Sequence, residues 1–210
     1  MNNFEELSKA VIAGQEQKVK ELTQLAINEG LDPLSIINDG LIQGMNVVGQ
    51  RFKIGDMFVP EVLMCARAMS AGVELVKPLL LDGEIASKGT IVIGTVKGDL
   101  HDIGKNLVGM MLESSGYKVI DLGVDTTPAE FIAAIKENNA QILGLSALLT
   151  TTMLAMKETI EVLKEEGIRN DVKVLVGGAP ISQTFADEIG ADGFAPDAAS
   201  ATELVGKLLN

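Results

Sequence analysis

The only histidine of the chain, His101, stands two residues after Asp99 and three before Gly104. An imidazole at that distance from a carboxylate can present one ring nitrogen to a ligand while the other donates to the aspartate. That pairing fixes the tautomer and raises the basicity of the free nitrogen, as it does behind many metal-coordinating histidines. A lone loop histidine is more often a solvated or hydrogen-bonded residue than a ligand, so the pair by itself is not enough to assign a function. Gly98 and Gly104 let the backbone approach something bulky on either side. Two simpler uses are disfavoured. Gly104-Lys105 resembles the end of a phosphate loop, but that motif asks for Gly at 99 and Ser or Thr at 106, where the chain has Asp99 and Asn106. A zinc site built by the protein alone would be short of strong ligands with one histidine and one cysteine, Cys65.

Positioning such a pair requires a rigid element that delivers the loop, and the preceding run supplies one. Residues 90–96, 118–122, 141–146, 172–176 and 193–195 are short stretches of β-branched and aliphatic residues, with helical patterns between them. Near-continuous apolar strands alternating with helices imply a parallel sheet covered on both faces. Five strands and five helices in about 120 residues predict a flavodoxin-like doubly wound α/β fold, whose ligands sit beyond the carboxyl ends of the strands. Thr127-Pro128-Ala129-Glu130 marks one helix start: an N-cap threonine, a proline at the first position and a glutamate three residues on.

The first part of the chain has a different period. Leu34, Ile37, Leu41, Met45, Val48 and Phe52 step by three and four, which predicts one long helix opened by Asp32 as N-cap and Pro33. A second stripe runs Val62, Ala66, Met69, Val73, Val76 and stops at Pro78, and two shorter helices precede them around residues 4–12 and 15–28. A four-helix bundle is expected over residues 1–88, including a linker at Leu81 to Gly89, and the α/β domain over 89–210. The 17 basic and 29 acidic residues give a net charge of −12, which disfavours polyanions and anionic membrane surfaces as partners. The start of the chain lacks a basic region followed by an apolar stretch, no apolar run is long enough to span a membrane, and one cysteine allows no internal disulfide. The expected setting is the cytoplasm, with neither nucleic acid nor membrane as partner.

These residues, taken in order, resemble a known module. Gly98-Asp99-x-His101-x-x-Gly104, then Ser146-x-Leu148 with Thr150 beyond, then Gly177-Gly178 after the fourth strand is similar to the cobalamin-binding domain. Gly44-Met45-x-x-Val48-Gly49-x-x-Phe52 and Gly55-x-x-Phe58-Val59-Pro60-Glu61 resemble the helical cap before it in methionine synthase and in methyltransferase corrinoid proteins. The resemblance covers nearly the whole chain and has no catalytic domain attached, so the stand-alone corrinoid proteins of methylotrophic systems, serving methylamines, betaines, methanol or methoxylated aromatics, match best.

The resemblance implies base-off cobalamin with His101 as the lower axial ligand of cobalt, Asp99 hydrogen-bonded to that histidine, and Ser146 continuing the relay. It further implies that Gly98, Asp102, Gly104, Leu148, Thr150, Gly177, Gly178 and Ala198 contact the cofactor. Gly94 and Gly144, inside strands, are expected to leave a slot for the displaced nucleotide tail. Met57, Phe58, Met64 and Phe52 are candidates for a lid over the cobalt-bound methyl, and the linker for its hinge. The implied role is a methyl carrier. A substrate:corrinoid methyltransferase would methylate cob(I)alamin, a second methyltransferase would pass the methyl to tetrahydrofolate or a thiol, and a corrinoid reductive activase would restore the lowest oxidation state. The alternatives weighed are the cobalamin-binding small subunit of a radical mutase, which generally lacks this helical part, and a cobalamin-dependent sensor, which usually adds a basic DNA-binding segment. A phospho-receiver domain would need Asp at the end of the third strand, where Ser146 stands.

Overall fold

The structure, a computed structural model, describes residues 3–80 and 87–209. It forms two compact units, one helical up to Ser87 and one α/β from Lys88 onward apart from the short stretch Ser114–Gly116. The expected linker, Leu81 to Gly89, lies outside the described residues except for its last three.

In the α/β unit, strands β1 (Thr90–Thr95), β2 (Lys118–Asp121), β3 (Ile142–Ser146), β4 (Lys173–Gly177) and β5 (Gly193–Phe194) form one parallel sheet in the order β2-β1-β3-β4-β5. Helices α6 (Ile103–Ser114), α7 (Pro128–Asn138), α8 (Met153–Glu165), α9 (Gln183–Ile189) and α10 (Ala198–Leu209) connect and follow the strands. Alternation along each strand divides its side chains between two cores. Val92, Val96, Leu143, Leu145, Val174 and Val176 pack with Phe131 of α7, Met156 and Ile160 of α8 and Ala186 of α9. Ile91, Ile93, Ile142 and Leu175 face the other way, against Leu112 of α6 and Val205 of α10. Each fully buried Leu, Ile or Phe adds about 1.5–3 kcal/mol of burial free energy, so both cores hold the strands firmly. Because β2 lies on one side of β1 and β3 on the other, a crevice opens beyond the carboxyl ends of β1 and β3, the place where this topology binds ligands.

In the helical unit, α1 (Asn3–Ile12), α2 (Glu16–Asn28), α3 (Pro33–Ser35), α4 (Gln43–Lys53) and α5 (Val59–Val76) surround a core of Leu7, Val11, Val19, Leu41, Met45, Val48, Val62 and Met69. The long helix expected from Asp32 to Phe52 is not uniform. Its start is capped as expected, Asp32 accepting from Ser35 N–H at 2.8 Å, but Ile36–Ile42 forms a π-helix between α3 and α4. The reason lies in its composition: Ile36, Ile37, Gly40, Leu41 and Ile42 are all buried, a wider apolar arc than one 3.6-residue stripe can carry. Gly40 and Gly44 admit α1 at close range, since a β-carbon there would stand 2.7 Å from Leu7 Cδ2 and from Val11 Cβ.

Candidate functional site

The chain leaves β1 through an isolated bridge, Val96 to Thr126, and turns at Gly98 with φ +83. That left-handed turn is one a β-carbon would strain, and it sends the chain back across the sheet end. Asp99 follows with no exposed surface. A carboxylate so placed must be fully satisfied, and it is. Oδ1 accepts from His101 Nδ1–H at 2.7 Å and from His101 N–H at 3.1 Å. Oδ2 accepts from Leu148 N–H at 2.7 Å, Leu149 N–H at 3.2 Å and the Thr152 hydroxyl at 2.7 Å. Burial alone would push the Asp99 carboxyl up, but the hydrogen bonds from Leu148, Thr152 and His101 outweigh it and hold the carboxyl far below the usual carboxylate range. An ionised carboxylate accepts only, so the proton between the two side chains belongs to His101 Nδ1, and Nε2 is the ring nitrogen turned away from the carboxylate.

The His101 side chain is half exposed, and Nε2 makes no hydrogen bond to the described residues. Its carbonyl accepts from the Thr95 hydroxyl at 2.9 Å, which ties the loop back to β1. Among the described residues no three His, Cys, Asp or Glu side chains are grouped to hold a metal, so an ion bound at Nε2 has to bring its other ligands. Lys105, the phosphate-loop-like lysine, is buried and committed: its ammonium donates to Asp121 at the end of β2 and to Asn106 Oδ1. Asn106 in turn donates to Asp102 at 3.0 Å, leaving Asp102 part of the α6 start.

Beside this pair the sheet has an opening. Leu143 and Leu145 of the central strand β3 are sealed, whereas Gly144 and Ser146, on the face of α6 and α10, retain exposed surface, as does Gly177 next to Ser146 in register. A β-carbon on Gly144 would meet only Ile93 closely, at 3.1 Å, and one on Gly177 only the Ala195 carbonyl at 3.2 Å. The result is a trough over the carboxyl half of β3, floored by glycines and the Ser146 side chain. Leu100, Leu148 and Leu149 stand exposed on the loops after β1 and β3, and Ile103, the first residue of α6, is 85% exposed. Solvated apolar side chains on two loops that flank His101 mark a surface made to be covered.

Several sequence expectations change here. Gly94 does not contribute to a slot: it faces the opposite core, where a β-carbon would stand 2.6 Å from the Phe131 ring, so its absence seats α7. In this structure the Ser146 hydroxyl makes no hydrogen bond to the described residues, and Thr152 is the hydroxyl that reaches Asp99. Thr152 was hidden in the run Thr150-Thr151-Thr152, where type gives no means of choosing; Thr150 is exposed and away from the network. Thr152 sits just before α8 and, unlike an ordinary N-cap, spends its side chain outside the helix. Gly178 (φ +128) lies against the Ala147 backbone, and Ala198, 4% exposed, offers little surface. Gly104 has open space around it. In the helical unit Phe58 and Met64 are exposed, whereas Met57 is core.

Comparison with known proteins bears on this geometry. A family model described as a B12 binding domain matches residues 89–205, and a second of the same description matches residues 4–77. A corrinoid protein of Desulfitobacterium hafniense (strain Y51) is 50% identical over 212 residues, covering 100% of this chain and 98% of its own length. The dimethylamine corrinoid protein of Methanosarcina barkeri is 48% identical over 207 residues, covering 98% and 97%. Among solved structures, the methanol:cobalamin methyltransferase complex of Methanosarcina barkeri aligns with 99% of this chain and 79% of that chain at a TM-score of 0.86 and 36% identity. A cobalamin-binding protein of Desulfitobacterium hafniense DCB-2 aligns with 97% of each chain at 0.82 and 34%. No helix of the described residues is long and apolar enough to cross a membrane.

Proposed function

From the premise that this chain belongs to the family of B12-binding corrinoid proteins, we propose that it holds cobalamin base-off on His101 and carries a methyl group between two partner enzymes. The bound cobalt supplies the nucleophile for the incoming methyl and the bond that carries it; the chain supplies the rest. His101 would hold the cobalt through Nε2, with Nδ1–H kept on Asp99. Because Asp99 is buried and saturated by Leu148, Leu149 and Thr152, its charge is fixed in place and the ring cannot rotate without breaking a 2.7 Å bond. Gly98 and Gly104 keep side chains clear of the cofactor, and Leu100, Ile103, Leu148 and Leu149 give a large planar group an apolar bed. Gly144, Ser146 and Gly177 form the floor on which a displaced nucleotide tail would lie, with the Ser146 hydroxyl free to bond it.

The observation that carries this reading is the unpartnered Nε2 of a histidine whose Nδ1 is held by a buried carboxylate, next to the surface that Gly144, Ser146 and Gly177 leave open at the carboxyl end of the central strands. The methyl donor is a small methylated compound held by a substrate:corrinoid methyltransferase; relatives are named for dimethylamine and trimethylamine. A second methyltransferase, with tetrahydrofolate or a thiol as acceptor, and a reductive activase complete the cycle in a cytoplasmic one-carbon pathway.

Reconstitution with methylcobalamin tests this. The native chain is expected to bind it stoichiometrically with a histidine-ligated absorption spectrum. His101→Ala is expected to retain the fold and lose that spectrum, with affinity lower by on the order of tenfold or more, as for loss of a metal ligand's support. Binding with the same spectrum in both proteins refutes the role of His101.

A further inference from the structure

Among the described residues only two other than glycine have a left-handed backbone: Asn139 (φ 49) and Asp125 (φ 54). Asn139 ends α7, an ordinary use of that conformation. Asp125 ends no helix. It lies on the loop after β2, at the carboxyl end of the sheet, and both of its polar groups reach the loop that carries His101. Its Oδ1 accepts from Gly98 N–H at 2.7 Å, and its own N–H donates to the Asp99 carbonyl at 3.0 Å. The left-handed turn brings the carboxylate and the N–H of one residue onto two successive residues, an unfavourable local conformation kept by the contacts it makes. The flanking chain is pinned to β1 as well, Thr95 N–H to the Gly123 carbonyl and Thr126 N–H to the Thr95 carbonyl, both at 2.9 Å.

We propose that Asp125 is a positioning residue that sets the aim of the His101 ring without touching any ligand. The Asp99 side chain is fixed from the loop after β3, and Asp99 N–H to the Val96 carbonyl at 3.1 Å ties the turn to the end of β1, but neither holds the Gly98 N–H or the Asp99 carbonyl, which flank the turn at a glycine with φ +83. Asp125 holds those two groups from the opposite loop, so that the line from Asp99 Oδ1 through the imidazole to Nε2 has one direction. The inference rests on the reading of His101 as axial donor.

Asp125→Gly and Asp125→Asn separate this role from local turn stability. Glycine removes the backbone strain together with the carboxylate's hold on Gly98 N–H, keeping only the N–H to the Asp99 carbonyl, so a merely local residue would be replaced without loss; asparagine keeps both the left-handed preference and an Oδ1 acceptor. Each full-length protein is loaded with hydroxocobalamin, reduced to the cobalt(II) state and read by electron paramagnetic resonance, where one axial nitrogen splits the cobalt lines into triplets. The native protein and Asp125→Asn are expected to show full splitting. Asp125→Gly is expected to lose about a third or more of it, at an unchanged thermal midpoint, with amide exchange at Gly98 and His101 of the corrinoid-free chain faster by on the order of tenfold and that of β3 unaltered. Full splitting and unchanged exchange in Asp125→Gly overturn the proposal, as does failure of Asp125→Asn to rescue. If the native protein lacks splitting and matches His101→Ala, the axial reading itself falls and takes this inference with it, a result distinct from the other two.

Discussion

Gly94 and Gly144 sit in adjacent strands of one sheet, one register step apart, and do opposite work. Gly94 faces α7 and α8 and is sealed by the Phe131 ring; Gly144 faces α6 and α10 and opens a trough. The two faces divide the task of the site accordingly. The sealed face anchors: the loop before α8 supplies Thr152, Leu148 and Leu149, which clamp Asp99 and through it His101. The open face accommodates: its glycines and the free Ser146 hydroxyl lend space and almost no stability. A cofactor-binding sheet of this kind gains rigidity from one side and room from the other.

That division can be broken first at the clamp. Asp99→Ala strands the donors of Leu148, Leu149, Thr152 and His101 in a buried place, and unfolding in urea is expected to show a loss of about 3 kcal/mol. Because the carboxyl ionises more readily in the folded than in the unfolded chain, its contribution is fully present above the ordinary carboxylate value near 4 and is lost as pH falls below that toward its lower folded value. The native urea midpoint is therefore expected to drop more between about pH 5 and about pH 3 than that of Asp99→Asn. Parallel curves would locate the acid sensitivity elsewhere.

The glycine pair gives the next largest contrast. Gly94→Ala drives a β-carbon into the Phe131 ring and is expected to cost about 2 kcal/mol while leaving corrinoid affinity per folded molecule unchanged. Gly144→Ala, which needs Ile93 to give by a few tenths of an ångström, is expected to cost under about 1 kcal/mol and to weaken cobalamin binding in a spectroscopic titration. Equal effects from the two would erase the distinction between the faces. The smallest contrast lies between hydroxyls. Thr152→Val removes a buried donor from Asp99 and is expected to cost about 1–2 kcal/mol, whereas Ser146→Ala is expected to stay within about 0.5 kcal/mol. Reversed values would restore Ser146 to the relay.

Much of the architecture could be read along the chain because its signals are local. Five apolar strands, the Thr127 to Glu130 capping box and the Asp32 cap depend on neighbours within four residues, and each stands where expected. The π-helix escaped because a count of apolar steps does not register when too many residues seek the same core. Thr152 escaped for a different reason. Its partner is 53 positions away, and three successive threonines look alike until the turn before α8 orients one of them. Gly94 misled because a glycine in a strand advertises missing volume without saying what fills it.

The residue types and spacing alone determined the parallel α/β fold, the helical part ahead of it, and the Asp99–His101 pair, since periodicity and a two-residue separation are properties of the chain itself. Which face of the sheet is open, which hydroxyl steadies Asp99 and which loop grips Gly98 were decided only by folding. Those are meetings of groups distant in sequence, set by how helices seat on strands, and hydrogen bonds that form within a fraction of an ångström cannot be inferred from order alone.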